Sequence, residues 1–229
     1  MIESILIFVE VLGIVSYAIS GTVVAIDKEA DLFGVLFLAV MTCFGGGILR
    51  DIIIGYLPPR FFTSMYFELA VALLTSLTIF ILAKIFKRKY MENEARVMTF
   101  NNYLDALGIG VFAVGGTSLC IEYGPLIAIT LGMISAVGGG MVRDLILRDI
   151  PFIMTKRVYA VATLVGSSVY YLTVAVICPD NELVELIARV GSALLIFLIR
   201  VLATRFKLDM PKAIVFKEME KQNEETMSK

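Results

Sequence analysis

The chain has 229 residues; 59% are hydrophobic, 18% are charged, and the formal net charge is −1. Water-soluble domains average about 45–50% apolar and about 25% charged residues, so this composition excludes a soluble globular protein. The mean hydropathy of +0.87 is gathered into long apolar blocks, which makes the class an all-α polytopic membrane protein. Histidine is absent, which removes the commonest metal ligand and the usual proton shuttle. Cys43, Cys120 and Cys178 are widely spaced and odd in number. They make no metal-spaced pair and no disulfide framework, and they read as small buried residues. No resident cofactor, metal or nucleic-acid partner is expected. Tryptophan is also absent, so Tyr and Phe must supply any interfacial belt.

In chain order, the first apolar span runs from the N-terminus to about Ile26 and lacks the basic start and cleavage site of a signal peptide. A polar loop, Asp27 to Asp31, leads to the second span, about Leu32 to Ile54. Gly55 and Pro58-Pro59 stop it, because proline removes a donor and disfavours a helical residue before it. The third span runs from about Tyr66 to Phe86, followed by Lys87-Arg88-Lys89 and a polar stretch to Asn102. The fourth is about Tyr103 to Ile121 and the fifth about Pro125 to Leu147, stopped before Pro151. The sixth is about Val158 to Ile177 and the seventh about Leu183 to Ala203. A charged tail, expected to be partly disordered, completes the chain.

Two spans carry the same run. Gly45-Gly46-Gly47-Ile48-Leu49-Arg50-Asp51 lies in the second and Gly138-Gly139-Gly140-Met141-Val142-Arg143-Asp144 in the fifth. Each interior glycine weakens a helix by about 1 kcal/mol relative to alanine. Three in a row exceed what close packing on one helix face requires, and they point to a kink or local unwinding. Freed carbonyls would then need a water-lined cavity, where they can ligate cations. Charge inside a membrane is expensive and usually functional.

The runs belong to a longer duplication. Leu12-Gly13-Ile14 and Tyr17 to Thr22 match Leu107-Gly108-Ile109 and Phe112 to Thr117 at an offset of 95 (108 − 13). Gly47 against Gly140 gives 93 (140 − 47), shared by Pro58 with Pro151 and Tyr66 with Tyr159. The predicted units are a three-helix repeat over residues 4–90, a second over 102–178, a seventh helix over 183–204 and a cytoplasmic tail over 205–229. Three spans is an odd number, so the second copy enters the membrane inverted. In such folds the site lies near the midplane between halves.

Basic residues set the orientation. Lys84, Lys87, Arg88, Lys89, Arg96, Arg148, Lys156, Arg157, Arg205, Lys207 and Lys212 fall on one face if the N-terminus is outside. The other face carries Arg60 with the acidic Glu122, Asp180 and Glu182. The expected topology is N-terminus out and C-terminus cytoplasmic. Arg50 then lies in the outer half and Arg143 in the inner half.

Neighbours on a helix diverge by about 100°, so Arg50-Asp51 and Arg143-Asp144 are not expected to bridge internally. The repeat supplies other partners. Glu10 aligns with Asp105, placing Glu10 level with Arg50 and Asp105 level with Arg143. Snorkelling to the interface is the competing reading. No nucleophile motif, phosphate-binding loop or metal-spaced cluster accompanies the acids, so an enzyme is not expected.

The doubled Gly-Gly-Gly-x-x-Arg-Asp motif in the second and fifth of seven spans resembles the trimeric intracellular cation (TRIC) channel family, prokaryotic branch. That branch has also carried a glycine-transporter-like description. The resemblance covers about residues 4–204. It implies a homotrimer in a prokaryotic inner membrane, with one pore per protomer through the two repeats. It implies a potassium-permeable path that passes K⁺ or Na⁺ with little discrimination. The family's kinked helices correspond to the two glycine runs, and its basic pore residues to Arg50 and Arg143. Animal members carry a Lys-containing lipid-binding signature after the glycines; Ile48-Leu49-Arg50-Asp51 departs from it. Two alternatives use the same architecture: a secondary transporter for a small zwitterion such as glycine, and a non-conducting structural membrane protein.

Overall fold

Ten α-helices account for most of the chain in a computed structural model that describes residues 2–155, 158–178, 181–206 and 208. The tail from 209 onward, Lys156, Arg157, Asp180 and Lys207 lie outside the described residues. Among the described residues, seven helices are long and apolar enough to cross a membrane. They are α1 (Ile2–Asp27), α2 (Leu32–Ile53), α4 (Tyr66–Ile85), α6 (Glu94–Leu119), α7 (Pro125–Ile146), α9 (Tyr159–Tyr171, continued as a wide π-turn over Leu172–Ile177) and α10 (Glu182–Arg205). Three short helices connect them: α3 (Arg60–Thr63), α5 (Lys87–Glu92) and α8 (Phe152–Thr155).

Local chemistry sets the boundaries. Asp31 caps α2 by accepting from the Gly34 amide at 2.7 Å, and Asn181 caps α10 by accepting from Leu183 and Val184 at 3.1 Å. Pro125 opens α7 at a position where a missing N–H costs nothing. The fourth span departs from its sequence boundary. Helix α6 starts at Glu94, well before Tyr103. Its first turns fall outside the apolar window yet hold residues that suit an exposed helix, so hydropathy alone does not see them.

The glycine runs are the chief correction. Both α2 and α7 remain helical straight through them, with no unwound segment. The helices cross there, and the missing side chains are what allow it. A Cβ on Gly46 would stand 2.2 Å from the Ser135 carbonyl oxygen, and one on Gly139 would stand 2.0 Å from that of Thr42. Gly45 faces Gly139 and Gly138 faces Gly46, backbone to backbone. Two antiparallel helices satisfy their own carbonyls and gain close dispersion contact, so unwinding would only expose polar groups. Gly47 and Gly140 differ: a Cβ on either would meet only ordinary contacts, led by Nη2 of Arg50 and of Arg143.

The inverted repeat is visible in what meets what. Repeat mates Gly46 and Gly139 lie at the α2–α7 crossing. Tyr17 stacks on its own mate Phe112, ring centroids 4.9 Å apart, where α1 crosses α6. The pseudo-twofold axis therefore passes between these pairs. Helix α10 has no mate and packs on α6 and α9. Cys43 and Cys120 are buried as expected, while Cys178 is only half-buried. Large apolar side chains such as Phe33, Leu74 and Leu126 are left on the outside, as a lipid-facing surface requires.

Candidate functional site

Each glycine run delivers its Arg-Asp pair to the same local arrangement, and the pairs do bridge internally. Arg50 donates from Nε at 3.0 Å and Nη2 at 2.7 Å to Oδ1 of Asp51. Arg143 donates from Nε to Oδ1 of Asp144 at 2.9 Å, with Nη2 2.8 Å away but poorly aligned for a hydrogen bond. The expectation from helical geometry fails because the long arginine stem folds sideways and its planar fork reaches a neighbouring carboxylate.

The second carboxylate oxygen anchors the next chain segment. Asp51 Oδ2 accepts from the Arg60 amide at 2.9 Å, and Asp144 Oδ2 accepts from the Phe152 amide at 3.0 Å. The donors are shifted by one position because the mate of Phe152 is Pro59, which has no N–H. One Arg-Asp pair thus ties a spanning helix to the short helix after it. Each guanidinium also reaches across the repeat boundary, Arg50 to the Ser135 hydroxyl at 3.5 Å and Arg143 to that of Ser20 at 3.4 Å.

The surroundings of the two pairs differ. Arg50 and Asp51, though buried themselves, line a partly enclosed cavity of about 330 Å³ together with Glu10, Gly47, Arg60 and Glu68. Arg189 of α10 enters the same cavity and donates to Ser118 at 2.6 Å and Glu185 at 2.8 Å. Arg143 is fully buried. Beside it Tyr159 donates to Asp105 at 2.9 Å, Arg200 of α10 donates to the same carboxylate oxygen at 3.4 Å, and the Arg200 guanidinium lies 4.1 Å over the Tyr159 ring. Phe152 covers Arg143 at 5.4 Å. Tyr17 is buried too and donates to the Ala136 carbonyl, where its mate Phe112 has no hydroxyl. Outside the span, Lys28 and Asp149 join the loops at that end at 2.7 Å. That hydrogen bond holds the Lys28 ammonium above its ordinary pKa.

The acid pairings expected from the repeat are therefore revised. Glu10 shares the cavity with Arg50 but makes no ion pair with it. Asp105 is bound by Tyr159 and Arg200, not by Arg143. The residues the sequence reading missed are Arg189 and Arg200. Both are charged residues inside an apolar span, which is a signal in its own right. They lack repeat mates, so a search for duplicated positions passes over them.

Seven spans built as an inverted three-helix repeat plus one, with a charge-lined cavity at the repeat interface, define a membrane transport protein of the inverted-repeat class. Residues 7–84 and 102–175 match the family described as Glycine transporter. The chain is 33% identical over 208 residues to the Escherichia coli inner membrane protein YadS, covering 89% of this chain and 94% of that one. A TRIC cation channel solved for a study of conductance superposes with a TM-score of 0.76 at 32% identity, covering 91% of this chain and 97% of its own. The TRIC channel orthologue from Rhodobacter sphaeroides gives 0.74 at 28% identity, over 90% and 100%. The chain belongs to this family, in its prokaryotic TRIC-like branch.

Proposed function

We propose that the protein is a potassium-permeable monovalent cation channel, working as a homotrimer with one path through each protomer. The observation that carries this reading is the cavity between the two repeats, which is lined by the Arg50 pair and does not reach the buried Arg143 pair. The path would follow the faces of α2 and α7 that present Gly47 and Gly140, with K⁺ or Na⁺ as permeant ion and no cofactor. The packed glycines Gly45, Gly46, Gly138 and Gly139 would act as the pivot on which the two helices turn. A bare arginine repels a cation by about 4 kcal/mol at 4 Å in an effective dielectric of 20. Asp51 and Asp144 neutralise that charge locally, and Glu10 and Glu68 offset Arg60 and Arg189 in the same cavity. The Asp105–Tyr159–Arg200 cluster serves as the closed gate. The bias of basic residues places the N-terminus outside and that gate on the cytoplasmic side, in a prokaryotic inner membrane. Purified protein in a planar bilayer should give unitary, K⁺-carried currents; saturable flux with no unitary events would overturn the proposal.

A second reading, a transporter for a small zwitterion, has its own support. Among the described residues, Arg60 Nη1, Arg189 Nε and Glu68 Oε2 are buried and lack hydrogen-bond partners, and all three residues line the cavity. Donors and an acceptor left open in one cavity suit a ligand carrying both charges, and a cavity open at one end suits alternating access. Saturable uptake of labelled glycine into proteoliposomes would favour this reading.

A further inference from the structure

The lining of the Arg50 cavity is balanced in charge. Among the described residues it holds three carboxylates, Glu10, Asp51 and Glu68, and three arginines, Arg50, Arg60 and Arg189. Arg50 and Asp51 cancel each other at 2.7 Å. Glu10 and Glu68 then stand against Arg60 and Arg189. Such a lining favours neither sign of ion, so a preference for cations needs a charge from behind the wall.

Arg189 shows where that charge is. Its Nη2 donates to Ser118 on α6 at 2.6 Å and to Oε1 of Glu185 at 2.8 Å. Tyr170 on α9 is fully buried and donates to the same oxygen at 3.3 Å. Glu185 lies in the first turn of α10, does not line the cavity, and has a 38% exposed side chain. An exposed pair four residues apart on one helix holds its partners only weakly. This pair is fixed from two further helices, which keeps Arg189 against the wall. Acids in a first turn also suit the helix dipole, and Glu182 shares that role here. The dipole does not account for the hydroxyls of Tyr170 and Ser118.

The repeat shows that those hydroxyls go with the seventh helix. Ser118 has Val23 as its mate at the offset of 95, and Tyr170 has Leu77 at the offset of 93. Neither mate has a side chain that can form a hydrogen bond. The groups that hold Arg189 are thus missing from the first repeat, which has no helix in the place of α10.

We propose that Glu185 makes this path prefer cations to anions, by adding one negative charge to a balanced cavity and by holding Arg189 against its wall. The proposal rests on the channel reading. A unit charge about 10 Å from an ion, in an effective dielectric of 20 and with a screening length of ~10 Å at 0.1 M salt, changes that ion's local concentration about threefold. Cations and anions respond in opposite directions, so the ratio of their permeabilities changes about tenfold.

The test is the reversal potential of single channels in a planar bilayer under a KCl gradient, which reads the K⁺/Cl⁻ permeability ratio. Near 0.1 M salt, Glu185→Gln should lower the ratio about tenfold, and Arg189→Gln should raise it by a similar factor. The double variant loses one charge of each sign and should return to the parent's ratio. At 1 M, where the screening length is about 3 Å, both single variants should also return toward it. A Glu185→Gln channel with the parent's ratio at both salts would overturn the proposal. So would a double variant that keeps the low ratio of Glu185→Gln, because Glu185 would then act through structure and not through charge. If Arg189→Gln does not fold, Glu185→Gln decides alone, and a low ratio that persists at 1 M overturns the proposal. A parent without unitary currents removes the channel reading and this proposal with it, whereas currents with an unaltered ratio in Glu185→Gln remove the proposal only.

Discussion

The Arg50 and Arg143 sites have the same motif, the same internal bridge and the same tie from aspartate to the following helix, yet one faces a cavity and the other is sealed. The mates Tyr66 and Tyr159 show where they part. Tyr66 is 66% exposed and donates to the Phe62 carbonyl, while Tyr159 is 4% exposed and donates to Asp105. Glu10, the mate of Asp105, has no such tyrosine. A duplicated sequence thus reproduces short-range structure faithfully, because a bridge between adjacent residues and a tie nine residues on in one copy and eight in the other depend on local chain geometry. Whether the site opens depends on contacts from elsewhere: Tyr17 in place of Phe112, Arg200 from the unpaired helix, and the Lys28–Asp149 link.

That contrast can be broken or sharpened by substitution at mated positions. The largest effect is expected at the crossing. Gly139→Ala puts a methyl 2.0 Å from the Thr42 carbonyl oxygen, and overpacking of this kind costs about 1–3 kcal/mol or more. Gly140→Ala meets nothing closer than 3.6 Å and gains up to about 1 kcal/mol of helix propensity. Thermal melting in detergent should separate these neighbours clearly. If they melt together, the crossing is looser than the contacts indicate.

Next in size are the arginines. Arg143→Ala leaves Asp144 charged in a sealed site, and breaking a buried pair from one side costs about 3–5 kcal/mol. Arg50→Ala leaves Asp51 lining a cavity with room for water to replace the lost donors, so its melting temperature should fall clearly less. Equal losses would mean that the cavity does not hydrate Asp51.

A smaller effect is expected at the gate. Tyr159→Phe removes a hydrogen bond to a carboxylate, worth about 1.5 kcal/mol or more, and about 1.4 kcal/mol is a factor of ten in an equilibrium. Single-channel recording should show open probability raised about tenfold by Tyr159→Phe, with Asp105→Asn moving the same way and Tyr66→Phe leaving it unchanged. An unchanged Tyr159→Phe channel would place the gate elsewhere. The smallest effect is expected at Glu10. Glu10→Gln should lower cation conductance modestly at low salt and not at 1 M, where the screening length falls to about 3 Å. Conductance lowered equally at both salts would point to direct ligation.

The sequence by itself determined the seven spans, the duplication and its inversion, and the place of one Arg-Asp pair in each of the second and fifth spans. Those follow from hydropathy, from aligned residues and from the cost of charge in lipid, all of which are written along the chain. Three things were legible only in three dimensions. Adjacent glycines weaken a helix in isolation, but Gly46 and Gly139 gain more from backbone contact across the crossing than α2 and α7 would from unwinding, and the partner helix is 93 residues away. Arg50 and Arg143 choose their neighbouring aspartates because the arginine fork can turn sideways, which a helical wheel drawn with stiff spokes does not represent. Part of the difference between the two sites comes from α10, which has no mate: its Arg189 lines the Arg50 cavity and its Arg200 meets Asp105 and Tyr159. Repeat logic assigns such a helix no place, and only packing against α6 and α9 brings its charges to the two sites.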